Sequence, residues 1–96
     1  MIADASGQIL LKGELSFTTA PNLLEQGYRM LRNNFDASFD LSAVSHSDSA
    51  GLALIIAWCR FAKQNSGRPR FIHIPEALRS LMRVTNVASV LNEFLA

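Results

Sequence analysis

Between Ala50 and Cys59 the chain runs Ala-Gly-Leu-Ala-Leu-Ile-Ile-Ala-Trp-Cys without a single polar side chain. This falls well short of the ~20 apolar residues that a membrane-crossing helix needs, so the run is either a buried helix or a docking helix. On helical geometry Leu52, Ile55, Ile56 and Cys59 share one face, and Leu54, Trp58 and Phe61 share another. A helix apolar on two faces needs two covers. The first is the core of its own domain; the second is a neighbouring helix or the surface of a partner. The spacing leaves Trp58 open between core and interface.

With 96 residues the chain has room for one domain, spanning 1–96. A hydrophobic content of 49% fills a core of that size without covalent staples. Nine basic and eight acidic residues leave a formal charge of +1, too weak a field to argue for nucleic acid or for an anionic membrane as partner. Cys59 is the only cysteine, which excludes an intramolecular disulfide and suits a reducing compartment. Two histidines, His46 and His73, and no cysteine pair argue against structural zinc. The segment Met1 to Ala5 lacks the basic start and long apolar stretch of a signal peptide, so the expected location is cytoplasmic.

The remaining elements can be read in order. Gly7 separates a short Met1-to-Ala5 segment from Gln8–Gly13, two brief strands joined as a hairpin. Thr18 and Thr19 are N-cap candidates and Pro21 suits a first turn. Leu23, Leu24, Tyr28, Leu31 and Phe35 then recur on one helical face. Phe39 and Leu41 alternate with polar neighbours as in a short strand over 38–42. Ala43 to Asp48 reads as a loop of small polar residues, and Asp48 or Ser49 can cap the apolar helix that runs toward Asn65. Arg70 to Ile74 reads as a strand, and Pro75 opens a third helix with Leu78, Leu81 and Met82 on its buried face, stopped at Asn86. Val87 to Ala96 suggests a last short helix. Strands separated by helices in this order predict an α/β fold, a small mixed sheet with parallel crossover units.

The loop before the apolar helix carries the most information. Asp40-Leu41-Ser42, followed by Asp48-Ser49-Ala50-Gly51-Leu52, resembles the signature of the STAS family, a strand ending in Asp-Leu-Ser and a loop leading to Asp-Ser/Thr-x-Gly-Leu. Gly13-Glu14-Leu15-Ser16 resembles the Gly-x-Leu-Asp/Ser segment of that family, with Ser16 in place of the usual acidic end. The resemblance covers nearly the whole chain and implies the STAS fold, with helices mainly on one face of the sheet.

In the anti-sigma factor antagonist branch, the hydroxyl in Ser49's place is phosphorylated by an anti-sigma factor kinase that is also the binding partner. A charge of about −1.5 to −2 then breaks the complex. In the transporter branch, that hydroxyl lies at the interface with an ABC-type ATPase. The run Gly51 to Ala57, followed by Phe61-Ala62-Lys63-Gln64-Asn65-Ser66-Gly67, is similar to the STAS subunits of phospholipid-trafficking ABC transporters that maintain outer-membrane lipid asymmetry. The resemblance therefore implies an accessory subunit, held at the cytoplasmic face of the inner membrane through an ATPase and permease and not by insertion. The alternative it implies is an antagonist switched by phosphorylation of Ser49.

The partner-binding surface expected from these residues comprises His46, Asp48, Ser49, Ala50, Gly51, Leu54 and Trp58. A hydroxyl at a helix N-terminus faces unpaired backbone N–H groups and a partial positive charge, so Ser49 can meet a partner or carry a phosphate. Gly51 has no side chain, which would let a partner backbone or phosphate approach the first turn. Asp48 reads as a cap, and His46 as a solvated loop residue with partner contact as its second role. His73 reads as a strand histidine, packed or at an edge, and Cys59 as an inert core thiol.

His46, Ser47, Asp48 and Ser49 include the residue types of a small esterase. Residues this close in one loop rarely align as nucleophile, base and orienter, and no Gly-x-Ser-x-Gly elbow accompanies them. No Walker A loop or Rossmann glycine pattern is present. No catalysis and no cofactor are expected, and any nucleotide hydrolysis is assigned to the partner. Arg68, Arg70, Arg79 and Arg83 read as solvated charges.

Overall fold

The computed structural model describes residues 2–3, 7–87 and 91–94. Its elements are β1 (Ile2–Ala3), β2 (Gln8–Leu15), α1 (Ala20–Asn33), β3 (Ser38–Ser47), α2 (Ser49–Gln64), β4 (Arg70–Ile72), α3 (Glu76–Val84) and a 3-10 turn (Asn92–Phe94). The four strands form one sheet in the order β1-β2-β3-β4. β1 and β2 pair antiparallel as the expected hairpin, whereas β2–β3 and β3–β4 pair parallel, each joined through a helix. This is the mixed α/β sheet that the alternation of elements predicts.

Alternation along the strands fixes which face is covered. Ile9, Leu11, Phe39, Leu41 and Phe71 are buried, while Lys12, Ser42 and Arg70 are exposed on the open side. Leu31 of α1, Ile55 and Trp58 of α2, and Leu78 and Met82 of α3 complete the same core cluster. At its centre the Phe39 ring stacks on Phe71, with centroids 4.9 Å apart, and on Trp58, at 5.2 Å.

Several boundaries differ from the sequence reading. β3 continues to Ser47, so residues 43–47, read as loop, are strand. Polar side chains here do not mean loop, because this half of β3 pairs with β2 only, β4 reaching no further than Asp40. Register slips opposite Leu10–Lys12 and Gly13–Glu14, with Gly13 at φ 81°, mark β-bulges that accommodate the extra residues of β3. Asp40 Oδ1 accepts the Ser42 N–H at 2.9 Å, where Leu41 and Ser42 together oppose Leu11.

β4 stops at Ile72, and His73 is no strand residue: it takes φ 57°, and its exposed ring puts Nδ1 2.9 Å from Asp40 Oδ1. These partners, first the Ser42 N–H and then His73, hold the Asp40 carboxyl below the usual carboxylate range. The Asp of the Asp-Leu-Ser motif thus ties the bulge within β3 to the residue that follows the end of β4. Phe35 lies beyond the end of α1, and Asn86, at φ 61°, supplies the left-handed residue that ends α3. Of the expected last helix, 88–90 and 95–96 lie outside the described residues; Leu91 and Phe94 are buried.

Candidate partner-docking site

β3 delivers the chain to α2 through one residue, Asp48, whose backbone is extended at φ −128°. Its Oδ1 accepts the Ala50 N–H at 2.8 Å, the side-chain cap that the sequence pattern predicts. Its Oδ2 accepts the Phe17 N–H at 3.4 Å, and its own N–H donates to the Leu15 carbonyl at 3.2 Å. Asp48 is therefore a junction that fastens the start of α2 to the turn between β2 and α1.

That turn, 16–19, is built from hydroxyls. Thr19 Oγ1 accepts the Ser16 N–H at 3.0 Å and donates to the Glu14 carbonyl at 2.8 Å. Thr19 occupies the N-cap position of α1, but its side chain does not bond to the helix N–H groups, being spent on the turn. Ser16, in the place where the family motif usually carries an acid, is buried and within 3.2 Å of Glu14 Oε2. With Asp48 holding its N–H, the turn projects Phe17 outward, 77% exposed.

Beside Phe17 a groove of about 700 Å³ opens between the N-terminal halves of α1 and α2. Phe17, Ala20, Pro21 and Leu24 line one side, and Ser49, Ala50, Ala53, Leu54 and Ala57 the other. Ser49 is exposed on its margin, in the first turn of α2. His46 is exposed near the end of β3, opposite Glu14 in the ladder, and no hydrogen bond joins it to Ser47 or Ser49. Ser47 Oγ is buried without a partner.

Three residues expected at the docking surface have other work. Trp58 is fully buried: its indole stacks on Phe39 and its Nε1 donates to the Leu24 carbonyl at 3.3 Å. The second face of α2 is covered by α1, where a Cβ at Gly27 would overlap the indole, so only glycine leaves room for it. Leu54 is 3% exposed and forms groove floor, not a projecting anchor. Gly51 is buried, and the space its missing side chain leaves is filled from within: a Cβ there would sit 2.8 Å from the Leu15 carbonyl oxygen. The glycine of the motif lets α2 seat on the end of β2, so the gap left by its missing side chain faces the strand and not a partner.

Ser49 and Ala50 line the groove, Asp48 caps the helix just before them, and His46 lies on the adjoining strand end. Sequence reasoning missed Phe17, Ala20, Pro21, Leu24, Ala53 and Ala57. The signal available for Phe17 was a large aromatic ring set among Ser16, Thr18 and Thr19; the alanines carry none. Phe61, which shares the second apolar face of α2, is half-buried between Tyr28 and Phe35, at 4.7 and 5.7 Å between centroids. Cys59 is buried, and desolvation first, then the nearby Glu93 charge, push its thiol up to about 12.

No group of three metal-ligating side chains occurs among the described residues, and no helix among them is long and apolar enough to cross a membrane. Residues 1–93 match the family model described as "Mlab, STAS domain". The chain belongs to the MlaB-type STAS domain family. No curated protein matches it. Among solved structures, this STAS domain is similar to the anti-sigma factor antagonist SpoIIAA in its unphosphorylated form. Identity there is 18% and the TM-score 0.64, over 79% of this chain and 71% of that one. It is also similar to a protein from Thermotoga maritima described as a candidate anti-sigma factor antagonist, at 19% identity and a TM-score of 0.74, over 94% of this chain and 79% of that one. At these identities the likeness is one of fold.

Proposed function

We propose that this STAS domain is a non-catalytic accessory subunit that binds, and stabilises or regulates, the ATPase of a phospholipid-trafficking ABC transporter. On this reading the transporter is of the Mla type, its ATPase MlaF-like, and its work the maintenance of outer-membrane lipid asymmetry. The domain is cytoplasmic and reaches the inner membrane only through that complex. The observation that carries the reading is the match to the MlaB-type family model across residues 1–93.

The site supports a docking role on its own terms. Phe17 is exposed beside an apolar groove, and Ser49 lies on the margin where a partner would close over it. A buried interfacial hydroxyl contributes about 0.5–1.5 kcal/mol, so Ser49→Ala weakens binding modestly. Ser49→Glu puts a charge into a desolvated contact, at a cost of several kcal/mol.

The test is reconstitution of the ATPase and permease with and without the STAS chain. The expected outcome is a complex whose stability or ATP turnover depends on the chain and falls with Ser49→Glu. A transporter that assembles and turns over equally well without the chain sinks the reading.

A second reading, an anti-sigma factor antagonist switched by phosphorylation of Ser49, is favoured by the fold likeness to two proteins so described. A phosphate there would gain from the N-terminal dipole of α2 and would stand close to the Asp48 carboxylate and the apolar groove. Incubation with a cognate kinase and ATP, followed by mass spectrometry of the peptide containing Ser49, separates the two readings.

A further inference from the structure

Apart from Phe17 the groove is lined by two helices, whose backbone groups beyond the first turn are paired along their own axes, so it offers no ladder to an extended segment. A chain segment buried there must satisfy its own N–H and C=O groups, which a helix does and a strand or loop does not. Ala50, Ala53 and Ala57 recur at spacings of three and four along α2, leaving shallow rows into which the side-chain ridge of another helix fits.

Charge sets the other half of the match. Arg60 lies one helical turn beyond Ala57 on α2, exposed, and on helical geometry shares the outward ridge of Ser49 and Ala53. Its neighbours are engaged: Lys63 meets Glu93 at 3.4 Å, and Arg32 meets Glu25 at 3.7 Å while lying over the Phe61 ring. Among the described residues the Arg60 side chain has neither ion pair nor hydrogen bond. The ridge beside the groove therefore ends on an uncompensated cation.

We infer that the groove receives an amphipathic helix of the partner, packed by its apolar stripe against Phe17 and the alanine row, with an acidic residue over Arg60. Ala53 and Arg60 are seven residues apart in α2. At 1.5 Å per residue that separation is about 10 Å, placing the acidic residue about two turns from the apolar anchor of the docking helix. The inference rests on the docking role proposed above and names the element that docks.

The test uses the full chain and the purified ATPase of an Mla-type transporter. Benzoylphenylalanine is placed at position 17 or at position 60 in separate variants, and the photo-adducts are mapped by mass spectrometry. Both adducts are expected on one helix of the ATPase, that from position 60 within a turn of an Asp or Glu. Arg60→Glu is expected to weaken binding about five- to tenfold at low salt and less at high salt, with Arg60→Lys retaining most of it. Ala53→Trp, which fills the groove from an exposed position, is expected to weaken binding about a hundredfold while thermal melting stays unchanged. Adducts on a strand or on two separate elements overturn the inference, as does full affinity in a folded Ala53→Trp chain. A wild-type chain that does not bind the ATPase overturns the transporter reading and the inference with it. Binding that is indifferent to all these variants overturns the inference alone.

Discussion

α1 and α2 share one seam with two unlike ends. Over the C-terminal halves it is closed by rings: Trp58 sits against Gly27, and Phe61 packs between Tyr28 and Phe35. Over the N-terminal halves it stands open, with Ala20 and Leu24 facing Ala50, Ala53 and Ala57 across the groove. Both ends are apolar. What separates them is side-chain volume, which fills the space between the helices at one end and leaves about 700 Å³ at the other. Large side chains make the seam a core; small ones, with Phe17 standing free beside them, leave it for something else to fill.

Variants at the two ends should behave oppositely, and the largest effect belongs to the closed one. Trp58→Ala removes the ring that stacks on Phe39 and the bond to the Leu24 carbonyl. It should destabilise the fold by about 3–5 kcal/mol in urea unfolding, and a loss under 1 kcal/mol would show that the closed end is not core.

Gly27→Ala tests the same contact from the other helix. Its new methyl must displace the indole, an overpacking cost of about 1–3 kcal/mol, partly offset by the better helix propensity of alanine, about 1 kcal/mol. A stabilised variant would mean that α1 can move away from α2 freely, and the contrast between the ends would lose its basis.

Asp48→Ala acts where the open end is anchored. Loss of the cap should cost about 1 kcal/mol, and loss of the bond to the Phe17 N–H should raise hydrogen exchange in the turn 16–19 more than in α3. Uniform exchange across the chain would show that Asp48 does not couple the turn to α2.

Phe17→Ser should change stability least, within about 0.5 kcal/mol, because the ring is exposed. Its effect belongs to binding, where an anchor lost is worth about 2 kcal/mol by isothermal titration against the ATPase. Intact affinity would make the open end an idle surface.

Much of this was legible in the sequence for local reasons. The element order, the cap at Asp48, the first-turn proline of α1 and the stop at Asn86 each depend on a few adjacent residues and read correctly. β3 was read five residues short because Ser45, His46 and Ser47 look like a loop when their only pairing, with β2, is out of sight. His73 was misplaced because its partner, Asp40, is distant in the chain.

The sequence by itself determined that α2 is apolar on two faces and that both need cover, since periodicity is a property of the helix alone. Which cover each face receives was decided only in the folded chain. Trp58 goes inside because α1 brings Gly27, the one residue small enough, to that point of the seam. Gly51 turns inward because the end of β2 brings the Leu15 carbonyl against it. The groove exists because Phe17, in a turn held by Asp48, stands beside alanines that cannot reach across. Helical phase, carried by neighbours in sequence, can be counted along the chain; the volume facing a side chain is set by residues that only folding brings near.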